Sequence, residues 1–276
     1  MVRSAKRARG IAACFGVVVF LASASASLAQ TSTGLPRIAS GKPNLNGIWQ
    51  VANAANWDLQ THGPSQGPAA FGALLSVPPG IGVVEGGEIP YLPKALEQRN
   101  KNRAARWTDD PEIKCYMPGV PRATYLPHPF QIVQSPTAIL ISYQFGDAAR
   151  PINMGKPSEA PVDSWMGWSN GRWEGDTLVI DVKGFNDQTW LDRSGNYHSD
   201  ALHVVERYTL ANANQINYEA TLEDTNVFSR PWKIAMPVYK HVEKNARLME
   251  FKCAEFTEEM LYGHLRRVPS AKPISK

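Results

Sequence analysis

Between Gly167 and Tyr208 the chain reads GWSNGRWEGDTLVIDVKGFNDQTWLDRSGNYHSDALHVVERY. Within it Asp187, Trp190, Asp192 and His198, with Arg193 between them, are the residue types that acid–base chemistry on a small ring compound requires. A neutral imidazole near pH 7, oriented by a carboxylate, can accept and return a proton. On this reading His198 is the general base or acid, Asp192 its orienting partner or a second acid–base group, and Asp187 a further carboxylate. Trp190 offers a face on which a sugar or aromatic ring can stack. Arg207 or Arg172 would stabilise developing negative charge. The same residues also have a purely architectural reading, in which Asp187 and Asp192 cap turns and His198 satisfies a loop carbonyl.

Other candidates lie outside this group. His203 and Glu206 are three apart on an expected strand, so they should face opposite sides of the sheet. Glu206 shares its side with Leu202, Val204 and Tyr208. There it is either the buried partner of an arginine or a carboxylate with a raised pKa. Tyr125 and His128 precede a strand, where a loop could bring them over a barrel mouth, and Arg150 could recognise a carboxylate. For these three a structural or surface role is the bland alternative. His62, His128, His198, His203, His241 and His264 never form a His-x-His or His-Glu-x-x-His spacing, so no metal site is expected. A set assembled from distant residues such as His128, His198 and Asp192 is the remaining route to one. There is no Gly-x-Ser-x-Gly elbow, no phosphate-cradling glycine loop and no Cys-x-x-Cys. Nucleotide-dependent and serine-nucleophile chemistry are therefore disfavoured, and no cofactor is expected.

The elements that must position these groups read as strands. Asn44 to Val51 holds a first short strand carrying Gly47-Ile-Trp49, the way lipocalin-like barrels often begin. Phe130–Val133 and Ala138–Phe145 flank a Gln134-Ser-Pro-Thr137 turn. Trp173–Phe185 folds about Glu174-Gly-Asp176, and Ala201–Leu210, Ile216–Glu223, Trp232–Tyr239 and Leu248–Cys253 follow. Short strands joined by turns predict an antiparallel meander closed as a lipocalin-like barrel, or else a sandwich. Lys94–Trp107 favours a surface helix through its Ala, Leu, Glu, Gln, Lys and Arg content. The stretch 109–122 reads as extended and proline-broken. Residues 256–265 carry an apolar face at helical spacing. Residues 61–93, rich in Gly and Pro, read as a long irregular excursion, and 270–276 as a flexible tail.

The first residues suggest an address. Arg3, Lys6, Arg7 and Arg9 precede an apolar run from Ile11 to Leu21 and a small-residue stretch to Ala29, the pattern of a secretory signal peptide over residues 1–30. Residues 31–276 then form a single β-rich domain in the periplasm or outside the cell. Cleavage removes four of the 29 Lys and Arg and none of the 25 Asp and Glu, leaving 25 of each sign. A chain so balanced gives no reason to expect nucleic acid or an anionic membrane as partner. No apolar run is long enough for a membrane-spanning helix. Cys115 and Cys253 would then sit in an oxidising compartment, where pairing is expected; two separate buried thiols are the alternative.

Taken together, Ile89-Pro-Tyr91, Cys115-Tyr-Met-Pro-Gly-Val-Pro-Arg122, Gly171-Arg-Trp-Glu-Gly-Asp-Thr-Leu178, Gly184-Phe185 with Thr189-Trp-Leu-Asp192, His198-Ser with Leu202-His-Val-Val-Glu-Arg207, and Arg230-Pro-Trp232 resemble a family of uncharacterised secreted bacterial β-rich proteins. The resemblance implies secretion and a β-rich domain and supplies no catalytic residues. The expected function is a cofactor-free acid–base enzyme, a lyase, isomerase or hydrolase, acting on a sugar-like or aromatic compound. A non-catalytic periplasmic binding protein for a small ligand and a cell-envelope interaction module are the alternatives. Oligomeric state is not legible in the sequence.

Overall fold

The computed structural model describes residues 34–251. Nine antiparallel strands form one sheet: β1 (Gly47–Gln50), β2 (Phe130–Gln134), β3 (Ile139–Tyr143), β4 (Ala149–Ile152), β5 (Trp168–Glu174), β6 (Thr177–Lys183), β7 (His203–Asn212), β8 (Gln215–Glu223) and β9 (Trp232–Lys240). Their spatial order is β4-β3-β2-β1-β9-β8-β7-β6-β5. The two ends of this order approach one another, so the sheet curls almost into a barrel. Asn153, just past β4, pairs with Asn170 of β5 through Asn153 N–H to the Ser169 carbonyl (2.9 Å) and Gly171 N–H to the Asn153 carbonyl (2.8 Å). The sequence permits this closure because position 171 has no side chain. A Cβ there would lie 2.5 Å from Met154 Sδ and 2.6 Å from Ile152 Cγ2.

Alternation along each strand sorts the side chains. On β7, Val204, Glu206, Tyr208 and Leu210 are buried, while His203, Val205, Arg207 and Thr209 lie on the outer side. The expected opposition of His203 and Glu206 is therefore observed. The core gathers the inward residues of all the strands, among them Trp49, Phe130, Ile141, Ile180, Tyr218 and Val238. Trp49 is completely buried and its indole N–H donates to the Leu45 carbonyl at 2.8 Å, which gives the one polar atom of a large apolar side chain a partner.

Among the described residues two α-helices accompany the barrel. The expected surface helix is α1 (Pro93–Asp109), opened by a proline at its first position, where the missing N–H costs nothing. A short α2 (Arg122–Tyr125) begins at the last residue of the 109–122 stretch expected to be extended, and all four of its residues are buried. The 61–93 excursion is more ordered than its composition implies. His62 exchanges both backbone hydrogen bonds with Gly80, and Ser65 does the same with Val77, making a narrow finger. The chain after it lies along β9. Glu85 N–H donates to the Lys233 carbonyl (2.8 Å) and Ala235 N–H to the Val83 carbonyl (3.0 Å). β1 pairs only with the far end of β9, at Tyr239 and Lys240, so residues 83–85 satisfy backbone that the short first strand leaves open.

Leu248 to Phe251 is not strand, which corrects the expected last strand in its described part. The expected leader, the helix at 256–265, the tail at 270–276 and Cys253 lie outside the described residues. Among the described residues no helix is long and apolar enough to cross a membrane.

Candidate functional site

The residues singled out in the sequence do not converge on one site. They divide among the barrel interior, the core of the 187–198 loop and the outer surface.

In the interior, Glu206 is fully buried at the centre of a polar network. Its Oε1 accepts the hydroxyls of Tyr208 (3.0 Å) and Tyr218 (2.8 Å), and its other oxygen accepts from the Arg150 guanidinium. Arg150 is not on the surface. It sits on β4 facing inward, 2 % exposed, and also donates to Ser169 Oγ (2.8 Å) and the Tyr143 hydroxyl (3.3 Å). Burial pushes the hydroxyls of Tyr143, Tyr208 and Tyr218 above their ordinary pKa, with the Glu206 charge adding to the effect. The network is internally satisfied and holds opposite walls of the barrel together. Arg150 is thereby committed to Glu206 and is not presented to a ligand.

The 187–198 loop is likewise engaged with itself. His198 is buried, its Nε2 is 2.5 Å from Thr189 Oγ1 and its Nδ1 is 2.8 Å from the Ser199 carbonyl. A carbonyl can only accept, so Nδ1 carries the proton and the Thr189 hydroxyl donates to Nε2. Burial lowers the imidazole pKa, which favours the neutral ring. The expected pairing of His198 with Asp192 is not made. Asp192 Oδ1 accepts the backbone N–H groups of Ser194 (2.9 Å) and Asn196 (3.2 Å), while Oδ2 accepts Leu59 N–H (2.8 Å) and Asn196 Nδ2 (2.6 Å). Its carboxyl is pushed up to about 7 by burial and by the Asp58 charge, against the pull of Asn196, the Leu59 amide and Arg122. Tyr125, buried on α2, donates its hydroxyl to the Leu191 carbonyl at 2.7 Å. Trp190 is half-buried in a bridge with Tyr197. Asp187 is exposed and bonded to the neighbouring Gln188.

On the outside, Arg172 and Arg207 both bind Glu174, at 2.7 and 2.8 Å, far along their strands from the 187–198 loop. His128 packs its ring on Phe145 and Phe251. Neither the two arginines nor His128 joins the proposed acid–base group.

The structure instead opens a cleft of about 420 Å³ beside that loop, between α1 and the start of the 61–93 excursion. Arg99, Arg103, Arg106 and Trp107 of α1 line one side, with Trp57 and His62 on the other. Arg193, Ser194 and Asp58 are also part of the lining. The helix is held in place by the loop. Asn102 Nδ2 donates to the Gly195 carbonyl (3.3 Å) and Arg99 Nε to Asn196 Oδ1 (3.2 Å). Gly195, at φ 83°, allows the contact, since a Cβ there would lie 2.5 Å from the Arg103 backbone nitrogen. Asp192 therefore shapes the cleft from behind, by folding the turn on which α1 rests.

The guanidiniums are arranged on aromatic rings. Arg193 lies 4.4 Å from the centroid of Trp57 and Arg106 lies 5.0 Å from that of Trp107, and the two indoles meet edge to face at 6.5 Å. Arg193 is fixed further by two bonds to Glu112, at 2.8 and 2.7 Å. Behind Glu112, Arg122 spans Asp110 with two bonds of 2.8 Å and reaches Glu112 at 2.6 Å, all three groups being buried. Burial raises the Glu112 carboxyl, but Arg122 and Arg193 outweigh it and hold the group down at about 2. On the cleft floor Ser194 Oγ donates to Asp58 Oδ2 at 2.6 Å. His62 Nδ1 sits 2.8 Å from the Gln60 carbonyl, and its Nε2, buried against Gly80, has no partner among the described residues.

Sequence reasoning missed this cleft except for Arg193. One signal was present: Arg99, Arg103, Arg106 and Trp107 fall at i, i+4, i+7 and i+8, one face of a helix. Compared with known proteins, the chain matches no family model and no curated protein.

Proposed function

We propose that the chain is a secreted or periplasmic small-molecule-binding protein whose ligand, a ring-bearing compound, occupies the cleft between α1 and Trp57. The observation that carries this reading is the cleft itself: about 420 Å³, concave, and walled by two tryptophans and four arginines. Volumes of roughly 300–1,000 Å³ with aromatic walls and a few placed polar groups are typical of sites for small ligands. The 187–198 loop contributes Arg193 and Ser194 to it, and His198 serves to hold the loop. Titration of a panel of aromatic and sugar compounds against the purified chain tests the reading. Trp107→Ala should weaken whatever binds, and unchanged affinity in that variant would move the site elsewhere.

A second reading, acid–base catalysis on the same ligand, is favoured by one observation. Asp58, on the cleft floor, lies close enough to the buried Asp192 to raise its pKa. A carboxyl that titrates near neutral pH can take up and return a proton, which suits proton transfer. Incubation with a bound compound followed by mass spectrometry separates the two readings. Time-dependent conversion that is lost in Asp58→Asn while binding persists would establish catalysis. Recovery of unaltered compound would leave binding alone.

A further inference from the structure

We infer that the ligand carries an oxyanion, a carboxylate or a phosphate attached to its ring, received by Arg103 and Arg106 of α1 with Arg99 alongside. The inference rests on the cleft being the ligand site and adds the chemistry of what fills it.

Arginines at the end of a helix are commonly solvated and partly stabilised by the helix dipole, so their presence alone carries little. Their pairing is what distinguishes them. Arg193 is neutralised by Glu112, whereas Arg99, Arg103 and Arg106 have no carboxylate within ion-pair distance among the described residues. Among the described residues Arg99 donates only to amide oxygens, of Asn196 at 3.2 Å and Asn100 at 3.3 Å. Arg106 donates to the Arg103 carbonyl at 2.8 Å. Arg103 makes no side-chain hydrogen bond among the described residues. Asp58 is the one carboxylate in the lining, and both its oxygens are already used, by Ser194 Oγ and by the Gln60 N–H at 3.0 Å. Three positive charges thus line the cleft without an ion-pair partner among the described residues, against the single negative charge of Asp58. Burial and the charge of Arg103 both act against the Arg106 cation.

Arg106 is also pre-oriented. Its guanidinium carbon lies over the Trp107 ring and its Nη1 donates to the Arg103 carbonyl, and the planar fork of N–H donors of a guanidinium matches the two oxygens of a carboxylate or two of a phosphate. An anion entering here would relieve the repulsion between Arg103 and Arg106 and gain charge-assisted hydrogen bonds from guanidiniums that make no ion pair among the described residues. A neutral ring would gain the apolar contact but leave the arginines without an ion-pair partner.

The test is isothermal titration of the purified chain with cinnamate, phenyl phosphate and the neutral isostere cinnamamide, repeated with Arg103→Met and Arg106→Met. The Arg103 side chain is exposed and makes no hydrogen bond among the described residues, so its replacement should leave the melting temperature unchanged and keeps the reading of affinity clean. One or both anions should bind more tightly than cinnamamide by roughly 10- to 100-fold. Either methionine variant should remove most of that preference, and affinity for the anion should fall with rising salt. Preference for cinnamate identifies the carboxylate source and preference for phenyl phosphate the phosphate source; both support the inference. Equal binding of cinnamamide and the anions, or a preference that survives both variants, would overturn the inference and leave the ring-binding cleft standing. Failure of all three compounds to bind would remove the cleft proposal and the inference together.

Discussion

Replacing Glu206 by Gln puts the barrel interior to a quantitative test. In the folded protein the carboxylate is fully buried and serves three donors at once, the Arg150 guanidinium and the hydroxyls of Tyr208 and Tyr218. The amide retains an acceptor for the tyrosines but withdraws the negative charge from Arg150, which is 2 % exposed and whose other hydrogen-bond partners among the described residues are Ser169 and Tyr143. Breaking a buried ion pair by removing one member costs about 3–5 kcal/mol, because the surviving charge is left uncompensated. For a chain of this length that corresponds to a fall in Tm of roughly 6–20 °C. Urea unfolding at pH 7, followed by tryptophan fluorescence, would measure it, and an unchanged slope would show that the native state stays compact. The double variant Arg150→Met/Glu206→Leu removes both charges and should recover at least half of the loss. A single-variant cost under about 1 kcal/mol, or a double variant no more stable than Glu206→Gln, would refute the view that this pair is a mutually dependent buried unit.

His198→Ala should destabilise the chain by roughly 1–3 kcal/mol, since it leaves the Thr189 hydroxyl and the Ser199 carbonyl without their buried partner; equal urea midpoints for variant and wild type would show that the ring does not organise the loop. Burial lowers the His198 pKa, so the unfolded chain takes up a proton near 6.5 that the folded chain resists. Wild-type stability should therefore decline as pH falls below about 6.5, and that part of the decline should be absent in the alanine variant. Glu112 is also displaced downward, by Arg122 and Arg193. Its folded pKa of about 2 lies below the ordinary 4.5, so its contribution is present above 4.5 and is lost as pH falls through 2. A Glu112→Gln variant should lose stability on the order of 3 kcal/mol at pH 7 and show a shallower acid limb than wild type between pH 4.5 and 2; parallel acid limbs would contradict the assignment.

The strands were legible because two-residue alternation is a local signal. The sides taken by His203 and Glu206 could be read from β7 alone, and the Glu174-Gly-Asp176 turn marked the β5–β6 hairpin. β4 escaped because Ala-Arg-Pro-Ile is short and carries a proline, which the edge of the strand order tolerates. The order within 61–93 escaped because it comes from backbone pairing to which composition is blind, His62 with Gly80 and Ser65 with Val77 inside the excursion and residues 83–85 with β9, more than a hundred residues later. For the site, the sequence offered chemical types but not contacts. Asp192 and His198 are six apart in the chain yet bond to different groups, and Arg150 finds Glu206 56 residues away. The arginine face of α1 was written in the helical spacing of Arg99, Arg103 and Arg106. Its meaning depended on the approach of Trp57 and Arg193, which no local pattern encodes.

The central claim, that ligands enter the cleft between α1 and Trp57, is tested most directly by the indole N–H resonances of the chain's eight tryptophans during titration with phenyl phosphate and cinnamate. Trp57 and Trp107, identified by single substitution to Phe, should shift in a saturable manner, while Trp49 and Trp232, buried in the barrel core, should hold their positions. Saturable shifts confined to Trp49 or Trp232, or to Trp168 and Trp173 of β5, with Trp57 and Trp107 unmoved, would contradict the account.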